Sequence, residues 1–478
     1  MKFRTYEQHQ MQMLPNSLEE LIPENHLVRA IDLVVEQLNL GDLYSSYGEE
    51  GQPAYHPKML IKIYLYGYAT GIRSSRKLAE KIESDLFYMY LAGMQRPDFR
   101  TISDFRKNKK EYLNKCFKQV LQICGQIGLV SLGHIAIDGT KIEANSSNKM
   151  LKEKKEILKL EEKIEQQVKS FLDGSEKTDE EEDKKYGKDK RGDELPAEFS
   201  KKEKFLEKVK AAKKYLEENK LERVSITDPE TRRMRMGGGT NICYNAQAAV
   251  DSDNQIIVAC KISNAEDDHH NFIPIYEEAI KNTGEKPKEV SADAGYHSGK
   301  TYLYVEEKQI DAYIPDCKFT AETDKKGNER IRAFDRRRFI YNSRNDHYVC
   351  PEGKEMIFTK NSSRNGVKFK IYKGTDCKAC ISRKKCIEKP TAVYRQIQIY
   401  ENDKFKKEMR RKLLSEEGRK KYNKRMVTIE PVFAQIKRVM GFREFLLRGI
   451  EKVNCELNLI CTAYNIKKLS KHLNFITG

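Results

Sequence analysis

The sequence contains no apolar run approaching the roughly 18 residues that a membrane-spanning helix needs. Its greasiest stretch, Met59 to Ile72, is interrupted by Lys62 and followed by Arg73. The start, MKFRTYEQHQMQMLP, lacks the apolar core of a secretory signal. An even cysteine count is lacking too: eleven are scattered through a long chain, which argues against a disulfide framework and for a reducing, cytoplasmic compartment. Acids fall short of bases, 72 against 89, and the formal charge of +17 points to a polyanionic partner such as nucleic acid. At 478 residues the chain has length for roughly two to four domains and a substantial core.

From Ser17 to about Val130, apolar residues recur at three- and four-residue spacing in LVRAIDLVVEQL and MLIKIYLYGYATGI, predicting an all-α N-terminal domain over residues 1–130. Pro57 stands where a first-turn proline belongs. Short helices follow, separated by Gly or Pro turns and basic at their starts, with the general look of a helix-turn-helix unit. Arg73, Arg76, Lys77, Arg96, Arg100, Arg106 and Lys107 are candidates to face double-stranded DNA. A solvated face of an ordinary bundle would carry the same residues.

At Gly133 the period changes: HIAIDGTKIEA alternates as a buried strand does. ICYNAQAAVD and QIIVACKIS, separated by the turn-forming SDN, read as a hairpin. A helix over residues 271–282, the strand KEVSADAG, a helix over 299–309 and the strand DAYIPD follow. The expected class is α/β (mixed), a sheet with helices packed on it, its first part spanning residues 131–150 and 222–316. Residues 151–221 form a charged helical insertion, with apolar positions Ile157, Leu160, Ile164, Val168 and Phe171 in one half and Leu206, Val209 and Leu216 in the other. Between them, GSEKTDEEEDKKYGKDKRGDELP is too charged to fold alone, so two helices joined by a mobile loop are expected. Residues 317–400 read as a second, Cys-containing β-rich insertion. Residues 401–478 return to helix and complete the core.

Three acids stand out by position. Asp138 in IAIDGTK and Asp293 in VSADAGY each end a short apolar strand and precede Gly139 or the Ala294–Gly295 pair. A carboxylate there is costly to bury unless paired or bound to a cation, and strand ends on an open rim are where such sheets place their sites. Glu430 is followed by Pro431, which reads as the first turn of a helix whose apolar face is Val432, Phe433, Ile436 and Val439. Hard oxygen ligands of this kind suit Mg²⁺ or Mn²⁺. Two ions roughly 3.5–4 Å apart activate a water or 3′ hydroxyl and stabilise the leaving oxygen at phosphorus. Each acid alone also fits a salt-bridged structural carboxylate.

The blocks IAIDGTKIEANSS, YNAQAAVD, VSADAGYHS and TIEPVFAQIKRVMGF resemble those of bacterial insertion-sequence transposases with a ribonuclease-H-like DDE core. YHPKMLIKIYLYGYATGIRSSRKLAE and PDFRTISDFRK resemble the N-terminal domain of the same group. The similarity spans most of the chain outside residues 151–221, with the blocks in order. It implies a ribonuclease-H-like fold, a catalytic triad of Asp138, Asp293 and Glu430 holding the metal ions, and DNA partners in the form of transposon terminal inverted repeats and target DNA. Paired ends make a homodimer the expectation by analogy. The group's tyrosine, arginine, glutamate, lysine signature is matched in order by Tyr422, Arg425, Glu430 and Lys437, but four residues rather than three separate Arg425 from Glu430. On a helix one added residue turns a side chain by about 100°. Lys437, two turns after Glu430, is expected on the same face, against a DNA phosphate. Lys141 and His297 are further candidates for phosphate or leaving-group contacts.

Cys350, Cys377, Cys380 and Cys386 cluster in the second insertion. A CxxC pair and two further thiols make a candidate structural zinc site, with His347 as a substitute ligand; metal-free cysteines in a small insertion are the alternative. The function expected is therefore DNA transposition by two-metal phosphoryl transfer. A catalytically inactive DNA-binding relative, or a ribonuclease-H-like nuclease, would share most of these features.

Overall fold

The computed structural model describes residues 17–48, 53–186, 197–323, 329–364, 367–387, 389, 391–401 and 403–476. The start of the chain, read above for a signal, and residues 187–196 of the charged loop lie outside the described residues.

Seven helices come first: α1 (Leu27–Glu36), α2 (Gly41–Ser45), α3 (Pro57–Thr70), α4 (Ser75–Ser84), α5 (Leu86–Leu91), α6 (Phe99–Asn108) and α7 (Lys110–Gln126). Pro57 opens α3, where its missing N–H costs nothing. Asp98 caps α6 by accepting from Thr101 N at 2.7 Å. A Cβ on Gly67 would meet Leu78 Cδ2 at 2.6 Å and the Ile72 carbonyl at 2.7 Å, so glycine there lets α3 and α4 pack closely.

The chain then runs through β1 (His134–Glu143), β2 (Leu151–Glu153), α8 (Lys154–Tyr186), α9 (Ala197–Glu218), β3 (Arg223–Ser225), β4 (Arg232–Met236), β5 (Gly239–Asp251) and β6 (Ile257–Ser263). Next come α10 (Phe272–Thr283), β7 (Glu289–Ala292), α11 (Gly299–Glu307), β8 (Ala312–Tyr313) and α12 (Phe319–Glu322). β5 pairs antiparallel with β1 on one side, and with β4 and then β6 on the other. β1 pairs parallel with β7, and β7 with β8. The expected hairpin is β5–β6, and its Asp251 is buried while accepting from Ser131 and Leu132 backbone N–H groups.

The charged insertion forms the two expected helices with a small core of their own, including Ile157, Ile164, Val209 and Leu216. Lys213–Glu161 and Lys210–Glu165 pairs bridge them at 2.7 Å. One expectation is corrected: α8 continues to Tyr186, well into the segment read as loop. Its Lys and Glu are good helix formers, and charge alone does not prevent a helix from extending. The Phe171 side chain lies outside the described residues.

The second insertion is β-rich as expected: β9 (Ile340–Asn342), β10 (His347–Val349), β11 (Glu355–Arg364), β12 (Val367–Gly374), the short helix α13 (Arg383–Cys386) and β13 (Gln396–Tyr400). Its strands form one antiparallel sheet in the order β13-β12-β11-β10-β9, over a separate small core of Phe339, Tyr348, Met356, Tyr372 and Ile397.

The C-terminal part is α14 (Asp403–Leu414), α15 (Glu416–Ala434), a π-helical turn Gln435–Val439, and α16 (Ile450–Ile476). α16 packs against α1, α3, α7 and β6, so the N-terminal helices and the sheet share one continuous hydrophobic core. After the π turn, Glu143 N donates to Arg443 O at 3.1 Å and Phe445 N to Glu143 O at 2.8 Å, pinning the exit of α15 to the far end of β1.

Candidate active site

β1 buries Ile135, Ala136 and Ile137 completely, and Asp138 is its first partly exposed residue. Ile137 lies opposite Ala292 in the parallel pair, so Asp293, one residue on, emerges beside Asp138. Each carboxylate is braced by a neighbouring main-chain amide: Gly139 N donates to Asp138 Oδ1 and Gly295 N to Asp293 Oδ1, both at 2.8 Å.

α15 lies across β1 and β7 and brings the third acid. Arg425 Nη1 donates to Asp138 Oδ2 at 2.9 Å, and its Nη2 stands 3.8 Å from Glu430 Oε1. The structure thus unites Asp138, Asp293, Arg425 and Glu430. The four residues between Arg425 and Glu430 do not remove Arg425 from the site, because its long side chain spans the gap to both acids. Asp138 and Arg425 are largely buried, while the Glu430 side chain is 53% exposed.

Glu430 is not in a first helical turn, which corrects the expectation. It lies late in α15, and Pro431 is inside the helix. A proline there leaves the carbonyl four residues back without its donor. That carbonyl, of Val427, instead accepts from Gln255 Nε2 at 2.9 Å, and so the helix tolerates Pro431.

Burial pushes the Asp138 carboxyl up to about 7, opposed by Arg425 and reinforced by the charges of Asp293 and Asp268. Burial also raises Asp293, against the Gly295 N–H and Arg425.

Asp268 was not singled out within the EDDHH run of the sequence. Its Oδ1 accepts from Asn245 Nδ2 and Gln247 Nε2, both at 2.7 Å, and lies 3.7 Å from Lys141 Nζ. Gln247 in turn accepts from the buried Tyr296 hydroxyl. A Cβ on Gly139 would meet Gln247 Nε2 at 2.3 Å and Asp268 Oδ1 at 2.9 Å, so this acid–amide cluster occupies the space over the glycine. The signal for it was Asn245 and Gln247 in alternation on an otherwise apolar strand, two buried amides that need partners.

Of the other candidates, Lys437 Nζ donates to the Lys141 carbonyl at 2.7 Å, and burial lowers its ammonium below the ordinary lysine range; it faces β1. His297 packs against the Tyr302 ring, and burial pushes it down to about 4, so its imidazole is neutral near pH 7. Arg73 donates to the Glu444 carbonyl and lies over the Phe442 ring. Arg76 and Arg100 flank the exposed Phe99 ring at 5.1 and 5.8 Å, and Lys77, Arg96 and Lys107 are exposed. Arg106, expected at a duplex, is buried and bonded to the Tyr68 hydroxyl and the Arg73 carbonyl; its α6 position faces the core, and buried hydrogen-bond acceptors make that tolerable.

Cys350, Cys377, Cys380 and Cys386 are free and half-buried. Burial raises the Cys386 thiol, against the nearby Arg395, and Arg395 links two of the four: its amide donates to Cys377 Sγ at 3.4 Å and its guanidinium to the Cys386 carbonyl at 3.2 Å. The His347 Nε2 faces Glu355 at 3.8 Å. Among the described residues no three His, Cys, Asp or Glu side chains are disposed to hold a metal ion. At the acids the donor chemistry nevertheless suits a hard cation: carboxylates from two adjacent strands and a helix, with the Arg425 guanidinium supplying positive charge between them.

No helix among the described residues is long and apolar enough to cross a membrane. Residues 16–108 match the model of a family described as transposase domain (DUF772), and residues 349–470 match that of the transposase DDE domain. The second match contains Glu430, Arg425 and the four cysteines, whereas Asp138 and Asp293 lie outside both. No curated protein and no solved structure matches the chain.

Proposed function

We propose that the chain, with a match to a transposase domain near one end and to a transposase DDE domain near the other, is an insertion-sequence DDE transposase that cuts transposon ends and joins them to target DNA by metal-dependent phosphoryl transfer. The observation that carries this reading is the convergence of Asp138, Asp293 and Glu430 around Arg425 from three separate stretches of chain. The strand order, with one antiparallel hairpin pair beside β1 and two parallel strands beyond it, supports a ribonuclease-H-like core.

Asp138, Asp293 and Glu430 would hold the ions. Two divalent ions held there would supply activation of the attacking water or 3′ hydroxyl and charge stabilisation of the leaving oxygen in an in-line displacement. The chain's own residues prepare the site. The Gly139 and Gly295 amides orient the two aspartates, Arg425 offsets their mutual repulsion, and Lys141 adds positive charge on the neighbouring face. The exposed Arg76, Lys77, Arg96 and Arg100 suit contacts to duplex phosphates, and paired ends would bring two copies together. A protein acting on chromosomal DNA would work in the bacterial cytoplasm.

The test is incubation with DNA carrying the inverted repeats that flank this coding region, with Mg²⁺ or Mn²⁺ and with chelator. Cutting and joining that need the metal support the transposase. Binding without cutting selects an inactive relative that regulates, and cutting without joining selects a nuclease.

A further inference from the structure

The sheet of the second insertion presents one face on which alternate residues of its strands converge: Tyr341, Tyr348, Phe358, Lys368, Lys370 and Tyr372. All of these but Phe358 line a cavity of about 770 Å³, and Phe358 stands beside it against the Tyr372 ring. Rings step along it, with Tyr341 to Tyr348 at 4.9 Å, Tyr348 to Tyr372 at 4.8 Å and Tyr372 to Phe358 at 5.8 Å between centroids. Asp346 fixes the row by accepting from the Tyr341 hydroxyl at 2.9 Å and the Tyr372 hydroxyl at 2.7 Å. Tyr341 and Phe358 nevertheless remain 46% and 40% exposed. Lys370 Nζ lies 5.7 Å over the Phe358 ring.

The two exposed rings flank the buried Tyr348 and Tyr372 beside Lys368 and Lys370, and suit an occupant with flat faces and negative charge. Between residues 340 and 401 there are thirteen Lys and Arg against six Asp and Glu; Glu401 lines the cavity with Lys368 and Lys370, and Asp346 is already engaged by the two tyrosines and by Lys370 at 3.5 Å. A paired duplex offers phosphates, but its base faces are covered by its own stacking. Unpaired nucleotides offer both, and aromatic platforms in positively charged grooves are how single strands are held. We propose that this groove binds unpaired nucleotides of DNA, exposed where a strand is frayed or cut at an element end. The proposal rests on the reading of the protein as one that works on DNA ends.

The test uses the full chain and fluorescence anisotropy with two DNAs of one sequence, a blunt duplex and the same duplex frayed by a few unpaired nucleotides. Wild type is expected to favour the frayed DNA by about tenfold or more, the range that one or two stacked bases supply. Tyr341→Ala combined with Phe358→Ala, both at exposed rings, abolishes that preference and leaves blunt-duplex affinity unchanged. Lys370→Ala weakens frayed binding more than blunt. Absence of preference in wild type, or a variant that retains it, overturns the proposal. Equal loss on both DNAs, or a change of oligomeric state with the preference intact, overturns it as well, by marking a general phosphate contact or a self-association surface. Failure to bind either DNA sinks the transposase reading itself, which the blunt-duplex arm reports separately.

Discussion

Arg425 Nη1 donates to Asp138 Oδ2 across 2.9 Å, although 287 residues separate the two in the chain. The contact joins the helix that carries Glu430 to the strand that carries the first acid. It places a permanent cation among acids that would otherwise repel one another.

Removing that cation has a directional consequence. Arg425→Ala leaves Asp138 and Asp293 facing each other without compensation, so the Asp138 carboxyl, already pushed up to about 7, rises further. The pH–rate profile of DNA cleavage shifts to higher pH, and more Mg²⁺ is needed for half-maximal rate. Arg425→Lys, which keeps the charge and loses the planar fork, restores part of both. An unshifted profile in Arg425→Ala rules this role out.

Asp138 also fixes a pH dependence of stability. Its carboxyl titrates at about 7 in the folded, metal-free protein against an ordinary 3.8. Between those values the folded state holds the proton and the unfolded state does not, so this group's contribution falls as pH rises from about 4 to about 7 and is level above. Asp138→Asn has nothing to ionise. Relative to wild type, its melting temperature in chelator is expected to rise from pH 4.5 to about pH 7 and to keep a constant margin from there to pH 8. A constant difference across that range contradicts the assignment.

Gly139→Ala tests the acid–amide cluster. The added methyl meets Gln247, Asn245 and Asp268 at 2.9 Å or less, and overpacking of this kind costs about 1–3 kcal/mol. Urea denaturation should show that loss together with reduced cleavage, since the cluster packs on Gly139, whose amide braces Asp138. A variant as stable and active as wild type shows that the cluster yields freely.

Asp138 and Asp293 were legible because each follows a short apolar run, where an acid is conspicuous; Asp293 does end its strand, but β1 continues past Asp138 to Glu143, held by its pairing with β5. Asp268 was hidden for the opposite reason: within EDDHH nothing local distinguishes it, and only its distant partners Asn245 and Gln247 mark it out. Glu430 was found by position but given the wrong helical context, because a proline is ordinarily a start signal. The donor that makes Pro431 tolerable, Gln255, comes from the far end of the β5–β6 hairpin. Arg425 looked out of phase by counting along a helix, which ignores the reach of its side chain. The sharing of one core between α16 and the N-terminal helices has no signature in local periodicity.

Asp138, Asp293 and Glu430 are expected to act together on DNA. Gel analysis of labelled element ends with Mg²⁺ tests this, comparing wild type with Asp138→Asn, Asp293→Asn and Glu430→Gln, and with binding affinity measured in parallel. Wild type is expected to cut and join, while each variant loses both activities and binds nearly as before. Metal-dependent cutting that survives in the Asp293→Asn variant, or a wild type that never nicks its own ends, would contradict it.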